Sequence, residues 1–481
     1  MHYKNLIKPI TCIGMLAAIT FSACTTTRKD VDTKKTPQDT SSKVGFWLTT
    51  GDQSALLARQ NMTLSFSDAS DQSQVIEVDD KQKFQSIDGF GYTLTGGSAT
   101  LINNLGETEK DALLQELFST RGNGIGVNYL RISIGASDLS ADTFSYNDLP
   151  VGQTDEKQEK FSIAKEMTDL IPILKKIVAI NPKLKILGSP WSPPVWMKDN
   201  NSFKGGSLKP EYYQSYATYF VKYIRAMQEQ GIIIDAITIQ NEPLHPGNVP
   251  SLYMAAKEQA TFIKTALGPV FKKEGIKTKI ILYDHNADKP EYPISILDDP
   301  EAKQYVDGSA FHLYGGTIDA LSKVHDAHPD KNLYFTEQWV GGPSNFAEDL
   351  KWHVSTLIIG ATRNWSRNVL EWNLAADANY GPHTDGGCTS CLGALTISPG
   401  ISRNVAYYVI GHASKFVPTG SERIASTNIN TLPNVAFKTP EGKKVLIVTN
   451  TSTTAQDFKI KSDDKFQKIN LAAGAVATLV W

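Results

Sequence analysis

The residues best suited to chemistry stand where apolar runs of the sequence end. Glu242 follows the run 234–240, and Glu337 ends the run 332–337. Other run ends carry further polar and aromatic side chains, namely Arg131, Asp138, Trp191, Asn241, Asp284, His285, His312, Tyr314 and Trp372. One carboxyl group can protonate the leaving oxygen of a glycosidic bond while a second attacks or assists at the anomeric carbon. Aromatic rings beside them would offer flat apolar platforms to a sugar. The pattern therefore indicates glycoside hydrolysis.

These residues meet only if the runs that carry them are strands of one parallel sheet. Short β-rich runs alternate with longer helical stretches, as in repeated βα units. Between 210 and 231, aromatic residues recur every three or four positions, which predicts one connecting helix. The predicted strands are 84–93, 127–134, 184–189, 234–240, 278–284, 309–314, 332–337 and 369–374. Because eight strands close a barrel, the prediction is an α/β protein with a (β/α)8 TIM barrel and its reactive groups at the carboxyl ends of the strands.

The two flanks of this region have a different pattern. Residues 44–80 and 405–481 contain alternating apolar runs separated by polar turns, which is typical of antiparallel strands. Since the termini of a barrel emerge close together, we expect both flanks to form one attached β-sandwich. The predicted organisation is a signal peptide at 1–23, a lipidated cysteine and flexible tether at 24–43, N-terminal sandwich strands at 44–83, the barrel at 84–402 and the remaining sandwich at 403–481.

The first residues have the features of an export signal. Lys4 and Lys8 precede an apolar run, 10–21, which is too short to span a bilayer and is followed by two small residues and then Cys24. A cysteine at this place resembles the bacterial lipobox, in which the thiol is acylated. We therefore expect an exported outer-membrane lipoprotein anchored through Cys24, with a plain cleaved signal peptide as the alternative. Residues 25–43 contain one aliphatic residue and no aromatic residue, which indicates a solvated tether.

The charge balance narrows the choice of partners. Lys and Arg total 48 against 50 Asp and Glu, so the sequence predicts no basic face for nucleic acid. The expected partner is a polysaccharide or oligosaccharide, and the membrane is expected to be touched only through the lipid anchor. The protein is expected to act as a monomer without a cofactor or metal ion.

Two cysteines lie in the body of the chain, Cys388 and Cys391, within the stretch GGCTSCLG. In an exported protein a disulfide between them is the favoured interpretation, because export leads to an oxidising compartment. Free thiols remain an alternative. A metal or redox site with His383 as a third ligand is a further alternative, although no second cysteine pair supplies the other ligands.

Several segments of the chain resemble glycoside hydrolase family 30, within the clan of retaining (β/α)8 glycosidases. The two segments most similar to that family's catalytic segments are 237–243 (ITIQNEP) and 334–339 (YFTEQW). The similarity extends to 88–91 (DGFG), 129–138 (YLRISIGASD), 189–197 (SPWSPPVWM), 311–314 (FHLY), 371–374 (EWNL) and 403–416 (RNVAYYVIGHASKF). A single tripeptide such as Asn-Glu-Pro is weak evidence, whereas ordered motifs at barrel-strand spacing are specific.

The resemblance implies roles for three residues of the predicted site, and the chemistry of the neighbouring side chains suggests roles for the others. It makes Glu242 the general acid/base and Glu337 the nucleophile, with Asn241 bonded to the sugar 2-hydroxyl. Arg131 and Tyr314 would orient the nucleophile by donating hydrogen bonds to it. The other predicted substrate-binding residues are Asp138, Trp191, His312, Tyr314 and Trp372. For each residue alone a structural role is the alternative, because strand-end carboxylates in barrels also form ion pairs and cap helices.

The loop 379–396 resembles the endo-β-1,6-glucanase branch of the family, which carries a comparable Gly-Gly-Cys-x-x-Cys segment. The expected substrate is therefore β-1,6-glucan, and a glucosylceramidase-like or other β-glucosidase activity is the alternative. Specificity for β-xylan or uronoxylan is less favoured, because nothing obvious forms a basic pocket for glucuronate. Two further classes stay open at this point: a surface glycan-binding lipoprotein without catalysis, and a metal-dependent hydrolase using His285, His312 and the cysteines.

Overall fold

The computed structural model describes residues 43–61, 64–65 and 73–481. The predicted signal peptide, the predicted lipidation site Cys24 and nearly all of the predicted tether lie outside the described residues. Within the described ranges, no helix is both long and apolar enough to cross a membrane. In chain order the strands are β1 Lys43–Thr49, β2 Ala58–Arg59, β3 Leu64–Ser65, β4 Gln74–Ser86, β5 Gly89–Thr93, β6 Tyr129–Ser133, β7 Lys185–Ser189, β8 Ala236–Thr238, β9 Lys279–Ala287, β10 Val306–Gly316, β11 Asn332–Glu337, β12 Val340–Gly341, β13 Ser366–Asn373, β14 Ala375–Ala376, β15 Cys391–Leu392, β16 Leu395–Ile397, β17 Ile401–Arg403, β18 Glu422–Ser426, β19 Asn434–Lys438, β20 Lys444–Thr449, β21 Gln456–Ser462, β22 Lys465–Leu471 and β23 Val476–Val480.

The helices lie mostly between the strands of the central sheet. They are α1 Gly96–Asn103, α2 Glu107–Phe118, α3 Leu170–Ile180, α4 Tyr213–Glu229, α5 Ala256–Phe262, α6 Gly268–Glu274, α7 Glu291–Leu297, α8 Pro300–Lys303, α9 Ala320–Ala327, α10 Phe346–Trp352 and α11 Val405–Ser414. The predicted helix after Pro210 is α4, which a short 3-10 turn at Pro210–Tyr212 precedes. Its apolar stripe buries Tyr216, Phe220, Tyr223 and Met227 completely. Chain reversal follows at Gly231, whose φ of 80° suits a residue without a side chain.

Eight parallel strands close into a barrel in the order β5-β6-β7-β8-β9-β10-β11-β13. This confirms the predicted (β/α)8 architecture. One boundary of the prediction was wrong, because residues up to Ser86 belong to β4, which pairs with β18 in the neighbouring sheet. The barrel strand begins only at Gly89, where φ is 153° and a Cβ atom would lie 2.5 Å from Oδ1 of Asn128. Gly89 therefore allows the chain to turn from one sheet into the other.

The barrel interior is stratified because side chains of a strand alternate between its two faces. A layer of apolar and aromatic residues fills the middle: Tyr129, Leu187, Ala236, Ile281, Ala310, Tyr334 and Leu370. Two positions further along six of these strands, toward their carboxyl ends, come Arg131, Ser189, Thr238, His312, Thr336 and Trp372. The sequence thus places a mostly polar layer next to the apolar layer, on the side of the carboxyl ends of the strands.

Strand β9 breaks this alternation. Tyr283 and Asp284 have φ values of 70° and 60°, and the register between β9 and β10 shifts beside them. As a result Asp284, three positions after Ile281, joins the inner polar layer, while Tyr283 packs in the outer core. Two consecutive left-handed residues cost conformational free energy, and such strain occurs most often at functional sites.

Both flanks of the barrel contribute to the second sheet, as predicted. Ten strands form it, with β1 between β2 and β23, and with β4 between β18 and β21. Most pairs are antiparallel, but β21 runs parallel to β4. In β20 one face packs in the sandwich core through Leu446 and Val448, and the other packs in the main core through Val445 and Ile447. A strand buried on both faces explains the continuous apolar run 445–448.

Helix α11 connects the two parts of the molecule. It packs against β5 and β13 of the barrel and against β23 of the sandwich sheet. All ten of its residues are buried. His412 of α11 bonds to the hydroxyl groups of Thr478 and Thr49, each at 2.8 Å, so one side chain joins the helix to β23 and β1.

Candidate active site

The predicted reactive residues lie together at the carboxyl end of the barrel strands. Asn241 and Glu242 follow β8, and Glu337 is the last residue of β11. Glu242 has a φ of 45°, and its amide donates to the carbonyl oxygen of Asp284 at 2.9 Å. Oxygen atoms of Glu242 and Glu337 and a ring nitrogen of His312 all lie within 4.8 Å of one another. The two carboxyl groups therefore form a close pair across one end of the barrel.

Arg131 holds the Glu337 side of this pair. Its guanidinium is fully buried and donates to Oε2 of Glu337 at 2.5 Å, to Oδ2 of Asp284 at 2.8 Å and to Oδ1 of Asn241 at 2.6 Å. Burial alone would lower the pKa of Arg131, but the neighbouring carboxylates outweigh it and raise the pKa. Tyr314 donates to the other oxygen of Glu337, Oε1, at 3.0 Å. The two donors, Arg131 and Tyr314, orient the carboxyl group of Glu337 by hydrogen bonds.

Asp284 is the centre of the buried network. Besides Arg131 and His312, it accepts hydrogen bonds from three hydroxyl groups, those of Ser189 at 2.7 Å, Thr238 at 2.8 Å and Thr336 at 2.6 Å. Burial favours its neutral form, but Arg131 and His312 hold its pKa well below its ordinary value. Asp284 thus stays ionised and keeps the two cations in position. Sequence reasoning left this residue ambiguous, because the period-two pattern of β9 does not point it inward.

His312 lies under the carboxyl pair and is fully buried. Its Nδ1 is 3.2 Å from Oε1 of Glu242, and its Nε2 is 3.0 Å from Oδ1 of Asp284. Burial lowers the pKa of His312, but the charges of Glu337, Asp284 and Glu242 raise it to about 9. An imidazolium has no lone pair for a metal ion, so the cluster of Glu242, His312 and Glu337 suits proton chemistry rather than metal ligation.

The two catalytic candidates differ in their surroundings. Burial raises the pKa of Glu337, and the positive charges of His312 and Arg131 only partly offset it. Burial also raises the pKa of Glu242, but the neighbouring imidazoles of His285 and His312 outweigh it and hold that pKa below its ordinary value. Burial thus favours the neutral form of Glu337, whereas the neighbouring imidazoles favour the ionised form of Glu242.

A third carboxyl group, that of Asp138, opens into the same cavity. It is buried, and burial together with the charges of Glu337 and Glu242 raises its pKa to about 7. A neutral carboxyl can both donate and accept a hydrogen bond, which suits a hydroxyl group of a ligand.

The cavity above these groups has a volume of about 250 Å³. Its walls are formed by Asp138, Trp191, Asn241, Glu242, His245, Asn248, Asn286, Tyr314, Glu337, Trp339, Trp372 and Cys391. Seven of the predicted site residues line it, whereas Arg131 and His312 lie beneath it. Sequence reasoning missed His245 and Asn248, which lie in a loop without an apolar pattern, and Asn286, which lies near the end of β9. Their position a few residues after Glu242 or Asp284 was the available signal.

A larger cavity of about 470 Å³ opens at the opposite, amino-terminal end of the strands. The acids in its wall are Asp88, which pairs with Arg367, and Asp235, which pairs with Lys185. Both are engaged in ion pairs, so this cavity offers no pair of free carboxyl groups.

Aromatic side chains form one wall of the site. Trp191 and Trp372 are buried, with ring centroids 5.4 Å apart, and the Arg131 guanidinium lies 4.7 Å from the Trp191 ring. Tyr314 is exposed over 41% of its surface. Trp339, which follows the nucleophile candidate by two residues, packs against this wall. The wall is aromatic and apolar, as contact with the C–H face of a sugar ring requires.

The segment 384–392, which follows β14, lies beside the cavity and contributes Cys391 to its wall. Cys388 and Cys391 form a disulfide bond that packs against Trp191 and Trp372. Strand β15, which contains Cys391, pairs with β12 directly after Trp339. Thr384 donates from its amide to the carbonyl oxygen of Asp138 at 2.9 Å and from its hydroxyl to that of Val249 at 2.5 Å. Residues 384–392 therefore bind three loops of the site together, and we call them the clasp.

A closed (β/α)8 barrel with a carboxyl pair at its strand ends and an aromatic wall defines a glycoside hydrolase. The family model described as the glycosyl hydrolase family 30 TIM-barrel domain matches residues 87–417. That of the glycosyl hydrolase family 30 β-sandwich domain matches residues 420–479. The chain belongs to glycoside hydrolase family 30.

The similar proteins include endo-1,6-β-D-glucanases and glucosylceramidases. An endo-1,6-β-D-glucanase of Aspergillus fumigatus is 35% identical over 76% of this chain and 79% of its own length. An endo-1,6-β-D-glucanase of Trichoderma harzianum is 34% identical over 76% of this chain and 78% of its own. The lysosomal acid glucosylceramidase of Mus musculus is 29% identical over 81% of this chain and 80% of its own.

Two solved structures superpose closely on this chain. An endo-β1,6-glucanase superposes with a TM-score of 0.85 at 35% identity, over 91% of this chain and 99% of the other. SrfJ from Salmonella typhimurium also has a TM-score of 0.85, at 26% identity and the same coverage.

Proposed function

We propose that this family 30 glycoside hydrolase cleaves β-1,6-linked glucan by double displacement, with Glu337 as nucleophile and Glu242 as acid/base. The observation that carries the mechanism is the approach of their oxygens to within 4.8 Å. Retaining glycosidases have carboxyl groups about 5–5.5 Å apart, whereas inverting enzymes need about 6.5–9.5 Å to accommodate a water molecule. The pair is too close for a water between it and the sugar.

In the first step Glu337 attacks the anomeric carbon while Glu242 protonates the departing oxygen. Arg131 and Tyr314 each donate to Glu337, so its carboxylate is aligned before the substrate arrives. Burial favours a neutral Glu337 before substrate binds, but a bound substrate reverses that preference. Positive charge developing on the anomeric carbon favours ionised Glu337, and the leaving oxygen favours protonated Glu242.

In the second step Glu242 acts as a base on water. Esterification of Glu337 removes its negative charge, which lowers the pKa of Glu242 and leaves it ionised. Asn241 is held by Arg131 at 2.6 Å, and we assign it to the sugar 2-hydroxyl. Asp138, Trp191 and Trp372 line the cavity and are assigned to the sugar's other hydroxyls and its apolar face.

The linkage specificity rests on relatives and on the clasp. Endo-1,6-glucanases at 34–35% identity support a β-1,6-glucan substrate more strongly than glucosylceramidases at 29–30%. A glucosylceramidase-like activity is the second candidate, because the same group of buried residues would serve both. The disulfide bond of the clasp lies beside the pocket, and it is formed by the two cysteines of the Gly-Gly-Cys-x-x-Cys segment that resembles the endo-β-1,6-glucanase branch.

Localisation is proposed from the sequence. The signal peptide and Cys24 support export and anchoring to the outer membrane, with the catalytic body on a tether and acting as a monomer.

The deciding experiment incubates the protein with β-1,6-, β-1,3- and β-1,4-glucans, xylan and glucosylceramide, and follows products by NMR. We expect oligosaccharides from the β-1,6-glucan alone, released first as the β-anomer. First release of the α-anomer would contradict double displacement. Glucosylceramide as the only substrate would favour the second candidate, and binding without reducing ends at any pH would support a non-catalytic glycan-binding protein.

A further inference from the structure

The two oxygens of the Glu242 carboxyl group face different surroundings. Oε1 points to the buried side, 3.2 Å from Nδ1 of His312 and 3.8 Å from Nδ1 of His285. Oε2 accepts a hydrogen bond from the side-chain amide of Asn248 at 3.2 Å. Both oxygens are therefore in contact with a nitrogen group in the empty site.

Asn248 lies on the open side of the carboxyl group. It lines the cavity and is half-buried, and its neighbour His245 is exposed, whereas His312 on the other side is fully buried. A glycosidic oxygen can reach Glu242 only from the open side, which is the side of Oε2. The amide of Asn248 and the leaving oxygen thus compete for the same carboxylate oxygen.

The segment that carries Asn248 is held in place by its neighbours. The next residue, Val249, accepts from the hydroxyl of Thr384 in the clasp. Ser251 donates from its hydroxyl to the carbonyl oxygen of Pro246 at 3.0 Å, and Pro250 between them is buried. The position of the amide is therefore a property of the folded loop.

We propose that Asn248 is a positioning residue that acts through Glu242: its amide occupies Oε2 in the empty site, gives way to the glycosidic oxygen of the substrate, and returns when the aglycone leaves. An amide donor stabilises an ionised carboxylate. Displacement of Asn248 by the substrate removes that stabilisation just when Glu242 must carry a proton. Its return favours the ionised base just when water must be activated. This inference rests on the proposed roles of Glu242 and Glu337.

The test must separate Asn248 from the other groups around Glu242. Those whose charge or hydrogen bonds act on it are Asp138, Tyr283, His285, His312, Tyr314 and Glu337. The titration of Glu337 is linked to that of Glu242, because their oxygens lie within 4.8 Å of each other and their charges interact. Trapping Glu337 as an ester removes that link and leaves the others unchanged.

The experiment uses 2-deoxy-2-fluoro-β-glucosyl fluoride to esterify Glu337 in the full-length protein. The rate of reactivation by water is then measured from pH 3 to 9. This rate rises with pH through the pKa of Glu242, because only the ionised group can act as base. In Asn248→Ala we expect the midpoint to rise by about one pH unit, as loss of one donor to a carboxylate implies. In Asn248→Asp we expect a larger rise, because a second negative charge disfavours ionised Glu242.

Asn379→Ala is the matched control, since Asn379 is an exposed asparagine in the segment between β14 and the clasp. Its midpoint should equal that of the unchanged protein, and thermal melting should show that all variants are folded. Labelling of Glu337 with unmoved midpoints in both Asn248 variants would overturn the role of Asn248 alone. Failure of the reagent to label Glu337 in the unchanged protein would overturn the proposed function and this inference with it.

Discussion

At the scale of single residues, the site is built so that each charge has an assigned counter-charge. Arg131 neutralises Glu337 and Asp284, and His312 lies between Glu242 and Asp284. A buried charge that loses its partner is costly, so removing one member of such a group affects the remaining members. Substitutions at the two glutamates are the most informative, because the two residues have different proposed roles.

Replacing Glu337 with Gln should lower turnover of β-1,6-glucan by about a thousandfold or more, because the amide cannot form the glycosyl ester. The measurement is the rate of reducing-end release by the purified variant. The fold should persist, because Gln keeps the shape and can accept from Tyr314. A folded variant that retains a tenth of the activity would contradict the nucleophile assignment.

Replacing Glu242 with Ala should separate the two steps. On glucan the rate should fall about 10²–10⁴-fold, as expected for loss of general acid/base catalysis. On 2,4-dinitrophenyl β-glucoside the first step should be largely spared, because that leaving group needs no proton. Added azide should restore turnover and give the β-glucosyl azide. Equal losses on both substrates, without rescue by azide, would contradict the assignment of Glu242 as the acid/base.

At the scale of elements, the clasp and helix α11 connect parts that are distant in sequence. The clasp holds the loops of Asp138 and Val249 and the strand after Trp339. Helix α11 holds the barrel against the sandwich sheet through His412. Each connection can be broken without touching the carboxyl pair.

Opening the disulfide should weaken the enzyme mainly through its substrate contacts. In Cys388→Ser/Cys391→Ser we expect a several-fold rise in KM for glucan, because Trp339 and the Val249 loop lose a common support. The free energy of unfolding should fall by about 2 kcal/mol, since the closed loop is only four residues long. A reductant should have the same effect on the unchanged protein and none on the double variant. A reductant effect that persists in the double variant would show that the effect does not come from the disulfide bond of the clasp.

His412 should make the fold sensitive to acid. Burial lowers its pKa from the ordinary 6.5 to about 3, so the unfolded chain binds this proton more readily than the folded protein. The contribution of His412 to the free energy of unfolding should therefore be fully present above pH 6.5 and should decrease as the pH falls toward 3. At pH 5 about 2 kcal/mol of it should be lost. In His412→Gln that part of the pH dependence should vanish in urea titrations at pH 5 and 8. His383→Gln, at a half-exposed histidine, should keep it, and an unchanged slope in His412→Gln would refute the assignment.

At the scale of the whole molecule, attachment to a membrane would depend on one side chain outside the folded body. Replacing Cys24 with Ser should move the protein from the membrane fraction to the soluble fraction, because the acylated thiol is lost. Immunoblotting of the separated fractions measures this, and Thr25→Ser is the control. Retention of the Cys24→Ser protein in the membrane fraction would exclude a lipid anchor at this residue.

Most of the architecture followed from periodicity and strand count, and the candidate pair followed from the strand ends. Glu242, Glu337 and Trp372 were found because each follows or ends an apolar run. Asp284 was not assigned, since two left-handed residues in β9 change the side on which it projects. Asn248 was missed because its contact with Glu242 depends on how a loop folds back, which no periodic pattern encodes.

Strand β1 pairs with β23 over its last five residues, from Gly45 beside Val480 to Thr49 beside Val476. A chain made from its amino end cannot complete this sheet until Val480 has left the ribosome. The last barrel strand, β13, ends at Asn373, so all eight barrel strands are synthesised before β23 can join β1 and β20.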